Sequence, residues 1–278
     1  MPSESLRVLR VHDLAVEFPK KGLRAKPFRA LDGVSLDIRP GETLGLVGES
    51  GSGKTTIGRA VLGLVPAAAG SVEFEGRDIT GFTRKQRLDA GIDIQAVFQD
   101  PYTSLNPAMS IGETLAEPLR VRGRSRAEAD RRVADLLQRV RLPADAARRH
   151  PREFSGGQRQ RIAIARALAL EPRLIVCDEP VSALDASTQA VVLDLFVELQ
   201  ETLGVAYLFV SHDLSVIRHI SHRVAVLHHG TIAEFGAGDT VTSTPTHPYT
   251  RRLLMASPVA DPDRQAERRS EFERLPRV

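Results

Sequence analysis

Gly48-Glu49-Ser50-Gly51-Ser52-Gly53-Lys54-Thr55 sets glycines, a lysine and a hydroxyl at the spacing of a phosphate-binding loop. Glycines at 48, 51 and 53 let the backbone curl until consecutive N–H groups face one anion, and a helix opening at Lys54 adds its positive end. Lys54 then reaches the β- and γ-phosphates of a nucleoside triphosphate, and the Thr55 hydroxyl sits on Mg2+. Only five of the 38 basic residues are lysines, and one stands where a compact charge fits between phosphates. A Gly-rich turn before an ordinary helix shares part of this pattern. Downstream, Leu174-Ile175-Val176-Cys177-Asp178-Glu179 reads as a buried strand delivering two carboxylates to its C-terminal end. Asp178 there can hold Mg2+ through its water shell, and Glu179 can take a proton from an attacking water; strand-end carboxylates can also serve as caps or ion-pair partners. Between these two motifs, Phe154-Ser155-Gly156-Gly157-Gln158 puts adjacent glycines before a helix, a second anion nest. His212 follows an apolar strand, at the edge where ligands gather in open α/β sheets, although a lone strand-end histidine is also a common structural residue.

These groups need elements to position them. Residues 7 to 18 and 33 to 47 read as short strands around a basic, Pro- and Gly-containing hairpin loop at 19 to 30. Gly41-Glu42 turns into the run Thr43 to Val47, and the glycine loop then opens a helix from Lys54 to about Leu64. From 100 to 150 the spacing is helical, as in Ala129, Val133, Leu136, Leu137 and Val140, with Ser125 and Glu128 in a capping-box pattern. This predicts a helical subdomain inserted at about 101–168. Gly157 to Leu170 reads as a helix closed by Glu171-Pro172. Ser187 to Leu203 reads as a longer one carrying Val191, Leu195, Leu199 and Leu203, before the strand Val205 to Ser211. Helices alternating with continuous apolar strands predict an α/β fold: a P-loop core with a mostly parallel sheet, plus an N-terminal antiparallel β subdomain. One main domain is expected over residues 1–256, with a mobile tail at 257–278.

A net charge of +3 is too small for a nucleic-acid-sized basic field, so no nucleic-acid partner is expected. Basic clusters such as Arg148, Arg149 and Arg152 read as solvated faces or as contacts with anionic lipid. The single cysteine, Cys177, falls inside an apolar strand and leaves no disulfide framework. No apolar run approaches the roughly 20 residues of a membrane span, and the N-terminus does not read as a signal peptide. A cytoplasmic chain attached to a membrane only through a partner is expected.

With phosphate loop, Ser-Gly-Gly nest and paired carboxylates in this order, residues 7 to 256 resemble the nucleotide-binding subunits of ABC transporters. The resemblance implies an ATPase that uses ATP and Mg2+. Gly48, Ser50, Gly51, Ser52, Gly53, Lys54, Thr55 and Thr56 then hold phosphate, with Thr55, Asp178 and Gln99 on the metal. Ser155, Gly156, Gly157 and Gln158 become the signature loop, which binds the γ-phosphate of ATP held by an opposing subunit. Gln99 matches the glutamine that couples to the membrane subunits, Asp185 closes the D-loop Ser182-Ala183-Leu184-Asp185, and His212 contacts the γ-phosphate. Glu179 is the base. Phe18 is the candidate for stacking on adenine, with Phe28 as the alternative. A head-to-tail dimer follows, since each signature nest lies too far along the chain to share its own loop's phosphate.

Within that family, Gln99-Asp100-Pro101-Tyr102-Thr103-Ser104-Leu105-Asn106-Pro107 and His247-Pro248-Tyr249-Thr250 resemble the oligopeptide, dipeptide and nickel importer branch. The implied partners are transmembrane permease subunits, a second ATP-binding subunit, identical or paralogous, and indirectly an extracytoplasmic solute-binding protein. The implied location is the cytoplasmic face of the cell membrane. Many members of the branch carry a Cys-containing iron–sulfur extension, and no cysteine follows Cys177 here, so no such cluster is expected. The loop Tyr102 to Pro107, with Leu105, is expected to offer a groove to a permease helix. Import of nickel or another small solute is the alternative within the same chemistry. A soluble ABC ATPase of repair or translation is a third reading, set aside because the chain has one P-loop and no long coiled coil between motifs.

Overall fold

The computed structural model describes residues 7–20, 27–100 and 104–256. In chain order the elements are β1 (Leu9–Phe18), β2 (Phe28–Ile38), β3 (Thr43–Val47), α1 (Lys54–Val61), β4 (Ala69–Phe74), β5 (Arg77–Asp78), α2 (Arg84–Ala90) and β6 (Ile94–Val97). They continue with α3 (Ile111–Val121), α4 (Arg126–Arg139), α5 (Gly156–Ala167), β7 (Leu174–Asp178), α6 (Ala186–Leu203) and β8 (Ala206–Val210). The last are α7 (Leu214–Ile220), β9 (Arg223–His228), β10 (Thr231–Ala237), α8 (Gly238–Ser243) and α9 (Pro248–Ala256). The chain divides into two compact units: Phe82–Tyr207, and the described residues on either side of that segment. The tail at 257–278, and Pro101 to Thr103 of the expected docking loop, lie outside the described residues.

In the flanking unit, β1 is central to an antiparallel sheet ordered β2-β1-β4-β5. The β1–β2 ladder runs out to Phe18 opposite Phe28, so β2 begins at Phe28 and not near 33, and a Glu17–Arg29 cross-strand ion pair at 3.2 Å stands one step inside that end. The register slips between Val11 and Leu14, where Asp13 takes φ 44° and its N–H donates to Ser35 Oγ at 2.9 Å. β3 is buried at all five positions and pairs in parallel with β9, from Leu44 opposite Arg223 to Val47 opposite Val226. Burial on both faces explains its unbroken apolar run. α7 packs so close to β3 that a Cβ at Gly45 would lie 2.3 Å from Ser221 Oγ and 2.8 Å from Ile217 Cγ2. β9 and β10 form an antiparallel hairpin whose turn residues His229 and Gly230 take φ 46° and 80°, a pairing that the sequence reading passed over.

In the unit Phe82–Tyr207, β6 and β7 pair in parallel, Ile94 opposite Leu174 through Val97 opposite Cys177. Capping boxes open α2, α3, α4 and α5, at Thr83/Gln86, Ser110/Glu113, Ser125/Glu128 and Ser155/Gln158. The expected α4 face, Ala129, Val133, Leu136 and Leu137, is buried. Of the expected α6 stripe, Leu195 and Leu199 are buried beside Val192 and Phe196, while Val191 and Leu203 are exposed. Phe196 packs edge-on against Tyr207, with centroids 5.4 Å apart, and centres the buried face between Val192 and Leu199. Leu105 is also a correction: it is buried at 2% exposure and offers nothing to a partner. Its neighbour Ser104 is tied to α5 by an Arg166 guanidinium bond to the Ser104 carbonyl at 2.9 Å. Among the described residues no helix is long and apolar enough to cross a membrane.

Arg223 fastens the start of β9 to the end of β2 and to the turn before β3. Its guanidinium bonds Asp37 at 3.1 Å and Glu42 at 3.1 Å and lies 4.6 Å from the centre of the Phe235 ring. Burial alone would raise the Asp37 pKa; the bond and charge of Arg223, with Arg7 and Arg39, outweigh it and lower that pKa. A lowered carboxylate pKa contributes stability above the unfolded value and loses it as pH falls through the folded one. Arg223→Ala should therefore cost about 2 kcal/mol in urea unfolding at pH 7, and the gap from the parent should narrow below about pH 4.

Candidate functional site

β3 ends at Val47 and hands the chain to the glycine loop. A Cβ at Gly48 would lie 2.2 Å from the Leu227 carbonyl and 2.8 Å from Ser52 Oγ, so this exit from the strand admits only glycine. Gly53, at φ 109°, is the N-cap of α1 and lies against β2, where a Cβ would meet Ala30 O at 2.8 Å. The loop is also pinned by Gly230 N–H to Ser52 O at 2.9 Å, from the β9–β10 turn. Lys54 is 5% exposed, and its ammonium donates to the Gly48 and Glu49 carbonyls at 2.6 and 2.8 Å. Ser50 and Gly51 stand exposed at the mouth, and Thr55 and Thr56 are half-buried on the first turn of α1.

His212 joins this edge. Ser211 N–H donates to Leu46 O at 3.1 Å, so β8 runs out beside β3 and leaves His212 exposed one residue further on. Phe18 and Phe28 sit opposite one another at the open end of the β1–β2 ladder, both exposed, two residues from the Ala30 that touches Gly53. Strand pairing thus puts both candidate aromatics at one corner. Tyr249, met in the sequence only as part of a branch phrase, also reaches this loop, its hydroxyl accepting the Glu49 N–H at 3.0 Å.

In the other unit, β6 and β7 end level, so Gln99 and the pair Asp178 and Glu179 emerge at one edge. Glu179 takes φ 49°, an unusual conformation for a residue with a side chain, and its carbonyl accepts the Ser182 hydroxyl at 3.0 Å. That turn sends Glu179 away from the line of Asp178, a candidate position for strain serving a site. Ser155 Oγ accepts the Gln158 N–H at 3.3 Å, and the Gln158 side chain returns a bond to Ser155 N–H at 2.9 Å, so the cap holds the nest rigid. Gly157 faces α6: a Cβ there would lie 2.1 Å from Thr188 Cγ2. Thr188 is in turn held by Asp185, which accepts its N–H at 3.0 Å and its hydroxyl at 2.7 Å. The Ser187 hydroxyl bond, and then these two from Thr188, pull the Asp185 pKa far below the usual carboxylate range. Burial drives the Cys177 thiol strongly upward, so it is inert at neutral pH.

A model of the family described as ABC transporter matches residues 31–182. The chain belongs to the ABC transporter family. Glutathione import ATP-binding protein GsiA of Escherichia coli O6:H1 is 52% identical over 267 residues, which is 94% of this chain and 43% of that protein. This chain therefore spans less than half the length of that relative. Two solved ABC structures are similar over most of this chain: the dimeric cassette MJ0796 in a post-hydrolysis state with ADP and Pi (TM-score 0.73, 30% identity, 82% of this chain and 98% of that one), and cbiO1 from Clostridium perfringens, part of the transporter complex cbiONQ (TM-score 0.77, 25% identity, 86% and 92%).

The Gly157–Thr188 contact yields a paired test. Gly157→Ala should destabilise the protein by about 1–3 kcal/mol through overpacking. Thr188→Ser removes Cγ2 and leaves the residue's Cβ, 3.6 Å away, as the nearest atom, so the double variant should recover most of the loss in a denaturation cycle.

Proposed function

We propose that this chain is the ATP-hydrolysing subunit of a membrane importer, with small peptides as cargo. The observation that carries the reading is the preformed phosphate loop, where buried Lys54 is held on the Gly48 and Glu49 carbonyls at the opening of a nest of N–H groups. Triphosphate oxygens offer that ammonium stronger, charge-assisted partners than two carbonyls. The N–H groups of Ser50 to Thr56 and the start of α1 cradle the chain of phosphates. By the family resemblance, Thr55 of one unit and Asp178 and Gln99 of the other would hold Mg2+, which their hard oxygen donors suit. Mg2+ held by these residues would offset the negative charge that develops on the phosphates. Glu179 accepts the proton of the attacking water, and His212 and Gln99 fix the γ-phosphate and that water. Phe18 or Phe28 stacks on adenine. The nest of Ser155, Gly156 and Gly157, with Asp185 behind it, closes over the γ-phosphate held by a second subunit.

Cargo follows from relatives named for glutathione import and from the branch phrases at 99–107 and 247–250. Nickel or another small solute remains the alternative, and cargo identity rests with the permease and solute-binding protein. The chain would sit at the cytoplasmic face of the membrane through the permease. We assign the docking role to a cavity of about 670 Å3 beside Gln99, edged by exposed Leu88, Phe98 and Val121 and by Arg166, which replaces the loop at Leu105. An apolar-rimmed groove of this size suits a short amphipathic helix.

Glu179→Gln should bind ATP and lose turnover by roughly 100-fold or more, while Lys54→Ala should lose nucleotide binding itself. Phosphate release and calorimetry read the two separately, and turnover of Glu179→Gln close to the parent's would overturn the base assignment. Val121→Asp should leave ATPase activity of the isolated subunit intact and abolish transport in the assembled complex. S104C, in a chain whose own cysteine is buried, should cross-link to a cysteine scanned along the permease's cytoplasmic loops.

A further inference from the structure

We propose that Tyr249 is a positioning residue of the nucleotide site, a clamp that sets the Gly48–Glu49 peptide plane of the phosphate loop from the C-terminal helix α9. One peptide unit carries both contacts. Its N–H, on Glu49, donates to Tyr249 Oη at 3.0 Å, and its carbonyl, on Gly48, accepts the Lys54 ammonium at 2.6 Å. Rotating that plane would break both bonds together, so the tyrosine on one side fixes where the lysine waits on the other. The hinge needs such a restraint because Gly48, lacking a side chain, leaves its own dihedrals soft.

Tyr249 is itself held from several directions. It is 4% exposed, and the His228 ring at the end of β9 lies over it at 3.9 Å between centroids, tilted by 32°. Burial and then the nearby His229 lower the His228 pKa, so this ring is neutral at pH 7, and burial raises the Tyr249 pKa and keeps its phenol protonated. Glu234 on β10 anchors the start of α9: its carboxylate accepts Thr246 N–H at 2.7 Å, Thr246 Oγ1 at 2.8 Å and His247 N–H at 3.2 Å. His247 Nδ1 then accepts the Tyr249 N–H at 3.2 Å. The phrase His247-Pro248-Tyr249-Thr250 thereby acquires a physical purpose. Pro248 starts the helix, His247 and Glu234 fix its first turn, and Tyr249 delivers one hydroxyl to the loop.

This rests on the nucleotide-binding reading given above, and two measurements separate them. Tyr249→Phe keeps the ring on His228 and removes only the oxygen. In steady-state ATPase assays its KM for MgATP should rise about tenfold, the scale of a lost backbone partner, with kcat changed by no more than about twofold. In the nucleotide-free protein, hydrogen exchange at the Glu49 amide should accelerate by a similar factor. Glu234→Ala, which loosens α9 and leaves Tyr249 in place, should shift KM in the same direction by about threefold. A folded Tyr249→Phe protein with parental KM, or with parental exchange at Glu49, overturns the clamp. A parent that binds no MgATP, with Glu49 exchange still faster in Tyr249→Phe, sinks the nucleotide reading and leaves the clamp standing.

Discussion

A buried ammonium must be hydrogen-bonded, and Lys54 answers that requirement with the backbone of its own loop. Unpaired, such a charge would cost several kcal/mol. Its bonds to the Gly48 and Glu49 carbonyls therefore dictate that the loop be curled before any ligand arrives. The curl in turn dictates the glycines, since the Leu227 carbonyl fills the space a side chain at 48 would need. It also dictates that β2 and the β9–β10 turn press against Gly53 and Ser52. The arrangement of strands around β3 is thus organised about one cation kept in readiness.

The unit Phe82–Tyr207 is built on a different economy. Its helices α2 to α5 begin with reciprocal Ser or Thr to Glu or Gln caps, each of which satisfies donors that a helix start leaves open. The cap at Ser155 does this beside the Gly-Gly nest, so the nest is stiff without burying its hydroxyl-bearing residue. In the role proposed for it, facing a phosphate held by a second subunit, rigidity of this kind leaves little ordering for the encounter.

The placement of these motifs on the fold was legible in the sequence because phosphate loops, strand-end carboxylates and Ser-Gly-Gly nests oblige residues to stand close together in the chain. The α4 face and its Ser125 cap were legible for the same reason. What could not be read depends on distant partners. Tyr249 stands in a phrase the sequence marks, yet no local pattern announces its bond to a residue 200 positions away. Leu105, between turn residues, reads as surface until Arg166 draws its neighbour Ser104 onto α5. Half of the α6 stripe, Leu195 and Leu199, was legible; Phe196 joins the buried face through Tyr207, which lies beyond the helix. The β9–β10 hairpin hides behind two histidines where a turn ordinarily shows asparagine or a first glycine.

The contact of Gly157 with Thr188 has a mechanical consequence. A side chain between them would act as a cushion; without one, α5 and the first turn of α6 meet as hard surfaces, and Asp185 grips the same threonine from behind. Close-packed elements of this kind transmit displacement and absorb little of it. The nest at Ser155 and the carboxylate at Asp185 therefore behave as two points on one rigid plate. A force applied at either is felt at the other with no slack, and the pair reports a single position to whatever faces it.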